Sequence, residues 1–305
     1  MKVAVAKYPV DAPADFAAFA TKQRTLLQAA KKAGAELAVL PEYLALELAA
    51  GMPAPVRGDL PASLAALQPL EPAWRALYAD LARDLGLTIQ AGTFLIDVGG
   101  GRYRNRAWWF SADGRSGYQD KLQMTGFEKA TGMIGGGEEA AVFSTGGVRA
   151  AIAVCYDAQF PLPVRTQWEA GARLLLVPSC TDTDAGATRV RVGCMARALE
   201  NRMFVAQSVT AGLADWSPAL DINTGEATIY APMDHGMPAD GLLARTRGEE
   251  VWAIASLDFA ALEANRHVAQ VANDHDWPRQ YRTRAPRPAS APASFSIGLS
   301  GPQPS

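Results

Sequence analysis

An α/β fold with a mixed sheet is what the sequence predicts, from two observations. Short apolar runs alternate with helix-periodic segments along most of the chain, and in its middle two runs are joined by a hairpin turn. The first run, around Val3 and Val5, reads as a buried strand. Phe16, Phe19, Leu26, Leu27 and Ala30 then recur at helical spacing, predicting a helix over 15–32 that Gly34 stops. ELAVL at 36–40 returns to strand and runs into Pro41. A helix over 72–84 ends at Gly86 and is followed by a strand over 87–96. Strands over 102–110 and 117–121 flank Asp113–Gly114, a hairpin signal. Further along, strands are expected over 148–154, 173–177, 203–209 and 252–257, and helices over 163–171 and 188–202. From Trp277 the composition turns to Pro, Arg, Ala and Ser, which cannot build a core. The expected organisation is therefore one domain over 1–275 and a tail over 276–305, with no internal repeat.

Composition narrows the function. The 305 residues are 49% hydrophobic and 20% charged, an ordinary globular balance. A net charge of −2 argues against a broad basic surface for nucleic acid or anionic lipid. The N-terminus lacks the long apolar stretch of a secretory signal, and no segment approaches the ~18 apolar residues of a membrane span. Cys155, Cys180 and Cys194 form an odd, sparse set that suits thiols in a reducing compartment, so the expected location is the cytoplasm.

Reactive residues cluster just beyond the ends of expected strands, where α/β folds collect their sites. Pro41 ends one strand because it lacks an amide donor, and Glu42 and Tyr43 follow at the sheet edge. Read alone, Glu42 is equally a surface loop glutamate. KLQMTGFE at 121–128 follows another strand, and Lys121 and Lys129 are the only lysines after Lys32. An ammonium supplies a point charge and proton donor that a guanidinium does not replace. VCYDAQFP at 154–161 places Cys155 where a strand turns towards a helix, with backbone N–H groups available to an oxyanion. Such a cysteine is equally simple core packing. Thr181 and Asp182 follow the strand over 173–177, and ARALENR at 196–202 is a charged helix end for which salt bridging is the plain explanation.

Taken together, PEY at 41–43, KLQMTGFE and VCYDAQFP occur in the order and at separations that resemble the nitrilase superfamily of carbon–nitrogen hydrolases, from Met1 to about residue 275. The resemblance implies a four-layer αββα sandwich with two mixed sheets, homodimers or larger homo-oligomers, and a Glu-Lys-Glu-Cys site. Glu42 would then be the general base, Lys121 the oxyanion stabiliser, Glu128 the supporting acid and Cys155 the nucleophile. Tyr43, Tyr156, Gln159 and Thr181 would line the substrate pocket. Gly126 departs from the pattern, since many members carry proline or a larger residue there; Glu138 or Glu139 is the alternative to Glu128. The implied reaction is hydrolysis of a small amide, because Cys-Tyr-Asp resembles the amidase-like branches. Nitriles and N-carbamoyl amines are the alternatives.

The residue types suit that chemistry. A free thiol has a pKa of ~8.5 and needs a base to attack near neutrality. An activated Cys155 is therefore expected to alkylate faster than Cys180 or Cys194. No HExxH, CxxC pair or His cluster occurs, so no metal or cofactor is expected. A papain-like enzyme would use one of His235, His267 and His275 but would leave Glu42 and Lys121 without a role. Gly114–Gly117 fails the G-x-S-x-G elbow, and Gly135–Gly137 lacks a dinucleotide-binding context. A binding protein that kept the fold without catalysis is the non-enzymatic alternative.

Overall fold

The computed structural model describes residues 1–282, so most of the tail expected over 276–305 lies outside the described residues. The first half runs β1 (Lys2–Pro9), α1 (Phe16–Lys32), β2 (Leu37–Leu40), α2 (Ala54–Arg57), α3 (Leu60–Leu67), α4 (Glu71–Leu85), β3 (Thr88–Asp97), β4 (Tyr103–Phe110), β5 (Ser116–Asp120), α5 (Gly126–Thr131), β6 (Ile134–Gly135) and β7 (Val142–Thr145). The second half runs β8 (Val148–Ile152), α6 (Pro161–Glu169), β9 (Leu174–Ser179), α7 (Asp184–Asn201), β10 (Phe204–Leu213), β11 (Ile222–Asn223), β12 (Thr228–Tyr230), β13 (Leu242–Arg245), β14 (Trp252–Ser256), α8 (Phe259–Ala264) and α9 (Asn273–Asp276). A 3₁₀ turn over Trp277–Arg282 closes the described chain.

The helices start where caps allow. Asp15 accepts from Ala18 N ahead of α1, and Thr183 accepts from Gly186 N ahead of α7, four residues earlier than apolar periodicity alone suggests. Asp59 and Pro61 open α3, an element absent from the sequence reading although its cap was visible. The strands β7 and β11–β13 were also unforeseen; they are short and weakly alternating.

The strands join in the order β5-β4-β3-β2-β1-β10-β9-β8-β7. The pairs β1–β2, β2–β3, β1–β10, β9–β10 and β8–β9 are parallel, whereas β3–β4, β4–β5 and β7–β8 are antiparallel. The sheet is mixed, as expected. Its ends approach each other: Trp109 of β4 stacks on Phe143 of β7 at 5.3 Å, and Gln119 of β5 bonds the backbone of Glu139 and Ala141. Alternation along β1 feeds two cores. Val3 and Val5 pack with residues of β8, β9 and β10, while Ala4, Ala6 and Tyr8 pack with residues of α1 and α4. This is a single-domain α/β fold with a nearly closed mixed sheet.

β2, β8 and β9 run parallel, so their C-terminal ends open on one side of the sheet. A bulge in β3 shapes that edge. Gly92 has φ +68°, and a Cβ there would lie 2.3 Å from the Pro41 carbonyl oxygen. The bulge lets Thr93 Oγ1 accept from Tyr43 N at 2.7 Å, holding Tyr43 at φ 60°. The left-handed conformation costs an L-residue ~1–2 kcal/mol before any clash. Gly92→Ala should therefore lower the unfolding free energy by at least ~2 kcal/mol in urea titration; an unchanged midpoint would mean that the close approach to Pro41 is dispensable.

Candidate active site

Glu42 follows β2 and is 1% exposed, not the surface loop residue that the sequence alone allowed. Lys121 follows β5 and is equally buried. Its Nζ lies 2.8 Å from Glu42 Oε1 and 2.8 Å from Glu128 Oε2, so one ammonium bridges two carboxylates. Glu128 sits in the first turn of α5. Thr125 and Glu128 form a reciprocal capping box there, with Thr125 N and Oγ1 donating to Glu128 Oε2 at 2.9 and 3.0 Å. A Cβ at Gly126 would meet nothing within 4 Å, so the departure at that position leaves Glu128 in place. Glu138 and Glu139 are exposed and stand apart from the cluster.

Cys155 opens a 3₁₀ turn over Cys155–Gln159, ahead of α6, and has φ 49°. A left-handed cysteine is strained and persists only where its surroundings impose it. Its thiol donates to the Cys180 carbonyl at 3.6 Å, while Cys180 N donates to Glu42 Oε2 at 3.1 Å. The Cys180 backbone thus connects the carboxylate and the thiol. Cys155, Glu42 and Lys121 line one cavity of about 530 Å³, together with Tyr43, Tyr156, Gln159, Thr181 and Asp182. All the residues singled out as pocket liners therefore meet there. Arg189 at the start of α7 and Asp221 also line it.

One contributor was not foreseen, and two make contacts beyond those expected. Asn105 of β4 donates Nδ2 to Glu42 Oε1 at 2.8 Å and to Glu128 Oε1 at 3.3 Å. Its signal was an asparagine among buried Tyr103 and Ala107 at alternate, inward positions. Tyr43, expected at the substrate pocket, lines the cavity, and its hydroxyl also donates to Glu128 Oε1 at 2.9 Å. Arg197 of ARALENR pairs with Glu200, as the plain reading had it, and also donates to the Ala158 carbonyl at 3.1 Å, tying α7 to the turn that carries Cys155.

The electrostatics separate the two glutamates. Burial pushes the Glu42 carboxyl up, Lys121 pulls it back and Glu128 pushes again, leaving it above the ordinary glutamate range. Burial also pushes Glu128 up, but the charge and hydrogen bond of Lys121, with help from Thr125 and Tyr43, hold it below that range. Burial pulls the Lys121 ammonium down, yet the two carboxylates outweigh it and keep the proton on. Burial and the facing Glu42 carboxylate push the Cys155 thiol well above its usual value, and Lys121 pulls it part of the way back. Cys180 is pushed up to about 12, mainly by burial.

The carbon–nitrogen hydrolase family model matches residues 2–263. The chain belongs to the carbon–nitrogen hydrolase family. Among curated proteins, this hydrolase-family chain is 29% identical over 274 residues to "Probable hydrolase YhcX" of Bacillus subtilis, covering 89% of itself and 52% of that protein. It is 27% identical over 204 residues to the chloroplastic omega-amidase of Arabidopsis thaliana, covering 63% of itself and 51% of that protein. It thus spans about half the length of the curated relatives it matches. Among solved structures, XC1258 of Xanthomonas campestris, a CN-hydrolase superfamily protein, superposes with TM-score 0.70 at 20% identity over 93% of this chain and 97% of that one. Nit3 of Saccharomyces cerevisiae gives 0.69 at 20% over 90% and 96%, and the Nesterenkonia AN1 amidase gives 0.66 at 21% over 92% and 97%. At such identities the likeness is one of fold. No helix among the described residues is long and apolar enough to cross a membrane.

Removing Lys121 tests the charge balance. Lys121→Ala leaves two buried carboxylates facing each other, a loss of ~3–5 kcal/mol at pH 7. Without the cation, both folded-state pKa values rise above their unfolded values, so folding then binds protons more tightly. The variant should therefore recover stability as pH falls towards 5, measured as the difference in unfolding midpoint from the parent across pH. A deficit that stays constant or deepens on acidification would contradict the assignment.

Proposed function

We propose that this chain is an amidase that hydrolyses small linear amides through a cysteine thioester. The observation that carries the reading is the buried Glu42–Lys121–Glu128 chain, of which Glu42 and Lys121 line a cavity that Cys155 also lines. Two carboxylates and one ammonium leave one negative charge uncompensated. Because Glu42 is the carboxylate held high and Glu128 the one held low, Glu42 is the proton acceptor and Glu128 the permanent counter-ion of Lys121.

On this reading Cys155 Sγ attacks the amide carbon as Glu42 takes the thiol proton. The carbonyl electron pair moves to oxygen, facing the Lys121 ammonium and the Tyr156 backbone N–H. Loss of one such donor costs ~3 kcal/mol in the barrier. The oxyanion collapses, the C–N bond breaks and Glu42 passes its proton to the departing nitrogen, releasing ammonia or an amine. Water then adds to the thioester with Glu42 as base again. The C–S bond breaks, the acid leaves, and Glu42 returns the proton to sulfur. Tyr156, Gln159 and Thr181 would contact the substrate, while Tyr43 acts through Glu128.

Further features belong to the same proposal: four αββα layers, a domain over 1–275 with an appended tail, homodimers or larger homo-oligomers, and a cytoplasmic location. The two apolar cores on opposite faces of β1 support the layering.

The test is ammonia release from a panel of small amides, ω-amides, carbamoyl amines and nitriles. Activity is expected on amides; release from nitriles alone would replace the amidase reading with a nitrilase one. Cys155→Ser should lower kcat on the order of 10⁴-fold or more while the protein stays folded by circular dichroism. Substantial remaining turnover would remove Cys155 from the reaction. Glu42→Gln should slow alkylation of Cys155 by iodoacetamide, measured by peptide mass spectrometry, because the thiol loses its base.

A further inference from the structure

Asp157 lies two residues after Cys155, is 2% exposed and has no part in the proton transfers above. Its carboxylate accepts from three backbone N–H groups. Oδ1 takes Gln123 N at 2.7 Å, Leu122 N reaches both oxygens at 3.1 Å, and Oδ2 takes Val154 N at 3.1 Å. Leu122 is the neighbour of Lys121 in the chain, and Val154 is the neighbour of Cys155. One side chain therefore grips the residues adjoining both the nucleophile and the cation. Asp157 N in turn donates to the Val154 carbonyl at 3.0 Å, closing a ring around the strained Cys155. On the other side, Lys121 N donates to the Asn105 carbonyl at 2.9 Å, and Gly137 N donates to the Lys121 carbonyl at 2.8 Å. The lysine loop is thus anchored to β4, and the Asp157 carboxylate joins that anchored loop to the cysteine turn.

We propose that Asp157 is a positioning residue that sets the distance between Cys155 and Lys121 by clasping the two loops that carry them. The inference rests on the amidase reading. Burial of a carboxylate is costly unless its oxygens accept hydrogen bonds, and here both Asp157 oxygens do, from the two loops at once. The Asp157 carboxylate touches no reacting atom; it acts through the backbone on the separation of sulfur and ammonium, on which transition-state stabilisation depends.

The experiment measures kcat and KM on the best amide of the panel for Asp157→Asn, Asp157→Glu and Cys155→Ser. An amide in place of the carboxylate keeps one acceptor oxygen and turns an N–H donor towards the others. Asp157→Asn should therefore lower kcat ~100-fold, with KM within about threefold of the parent. Asp157→Glu keeps the charge but shifts it by one methylene, and should fall between, ~10-fold below the parent in kcat. The proposal is overturned if Asp157→Asn keeps the parent kcat, if its loss lies in KM, or if the glutamate variant is no better than the asparagine one. Should the asparagine variant fail to fold, the glutamate variant decides: a lowered kcat at unchanged KM supports the clasp, and an unchanged kcat defeats it. An inactive Cys155→Ser beside a fully active Asp157→Asn defeats the clasp alone. An active Cys155→Ser defeats the amidase reading itself.

Discussion

Lys121 holds its ammonium between two carboxylates in the interior of the protein, 2.8 Å from each. A buried charge is tolerated only when it is paired and its hydrogen bonds are met, and here one ammonium pairs with two carboxylates. Asn105, Thr125, Tyr43 and the Cys180 amide occupy much of the remaining capacity of the carboxylates. The cluster is therefore a constraint on the fold as well as a feature of it. β2, β4, β5, α5 and β9 must all end or pass within hydrogen-bond reach of one point.

The asymmetry between the glutamates follows from that packing. Both feel the same ammonium, but Glu128 is also gripped by the cap of α5, whereas Glu42 faces a thiol and a cavity. Hydrogen bonds to the charged form hold Glu128 ionised, and burial leaves Glu42 the more basic of the two. A single ammonium thus sits between one carboxylate held below the ordinary glutamate range and one left above it. The strained Cys155 corner brings sulfur to the same cavity, at the end where parallel strands open.

Much of the architecture was legible in the chain because apolar periodicity reports burial directly. The strands β1–β5, β8–β10 and β14, and the helices α1, α4, α6 and α7, all lie within a few residues of where their periodicity put them. The short strands β11–β13 were not legible, since two to four residues carry too little alternation to register. α3 was missed although Asp59 and Pro61 announced it.

The sequence alone determined which residues stood out as candidates: a glutamate behind a strand-ending proline, a rare late lysine, and a cysteine at a strand end. Those are local facts of residue type and backbone freedom. Only the tertiary structure decided what each does to the others. That Glu42 is buried, that Tyr43 bonds Glu128, that Asn105 spans both glutamates and that the Cys155 thiol is pushed above its usual value all depend on separations between segments far apart in the chain. Desolvation and Coulomb energy are set by those separations, and no local pattern encodes them.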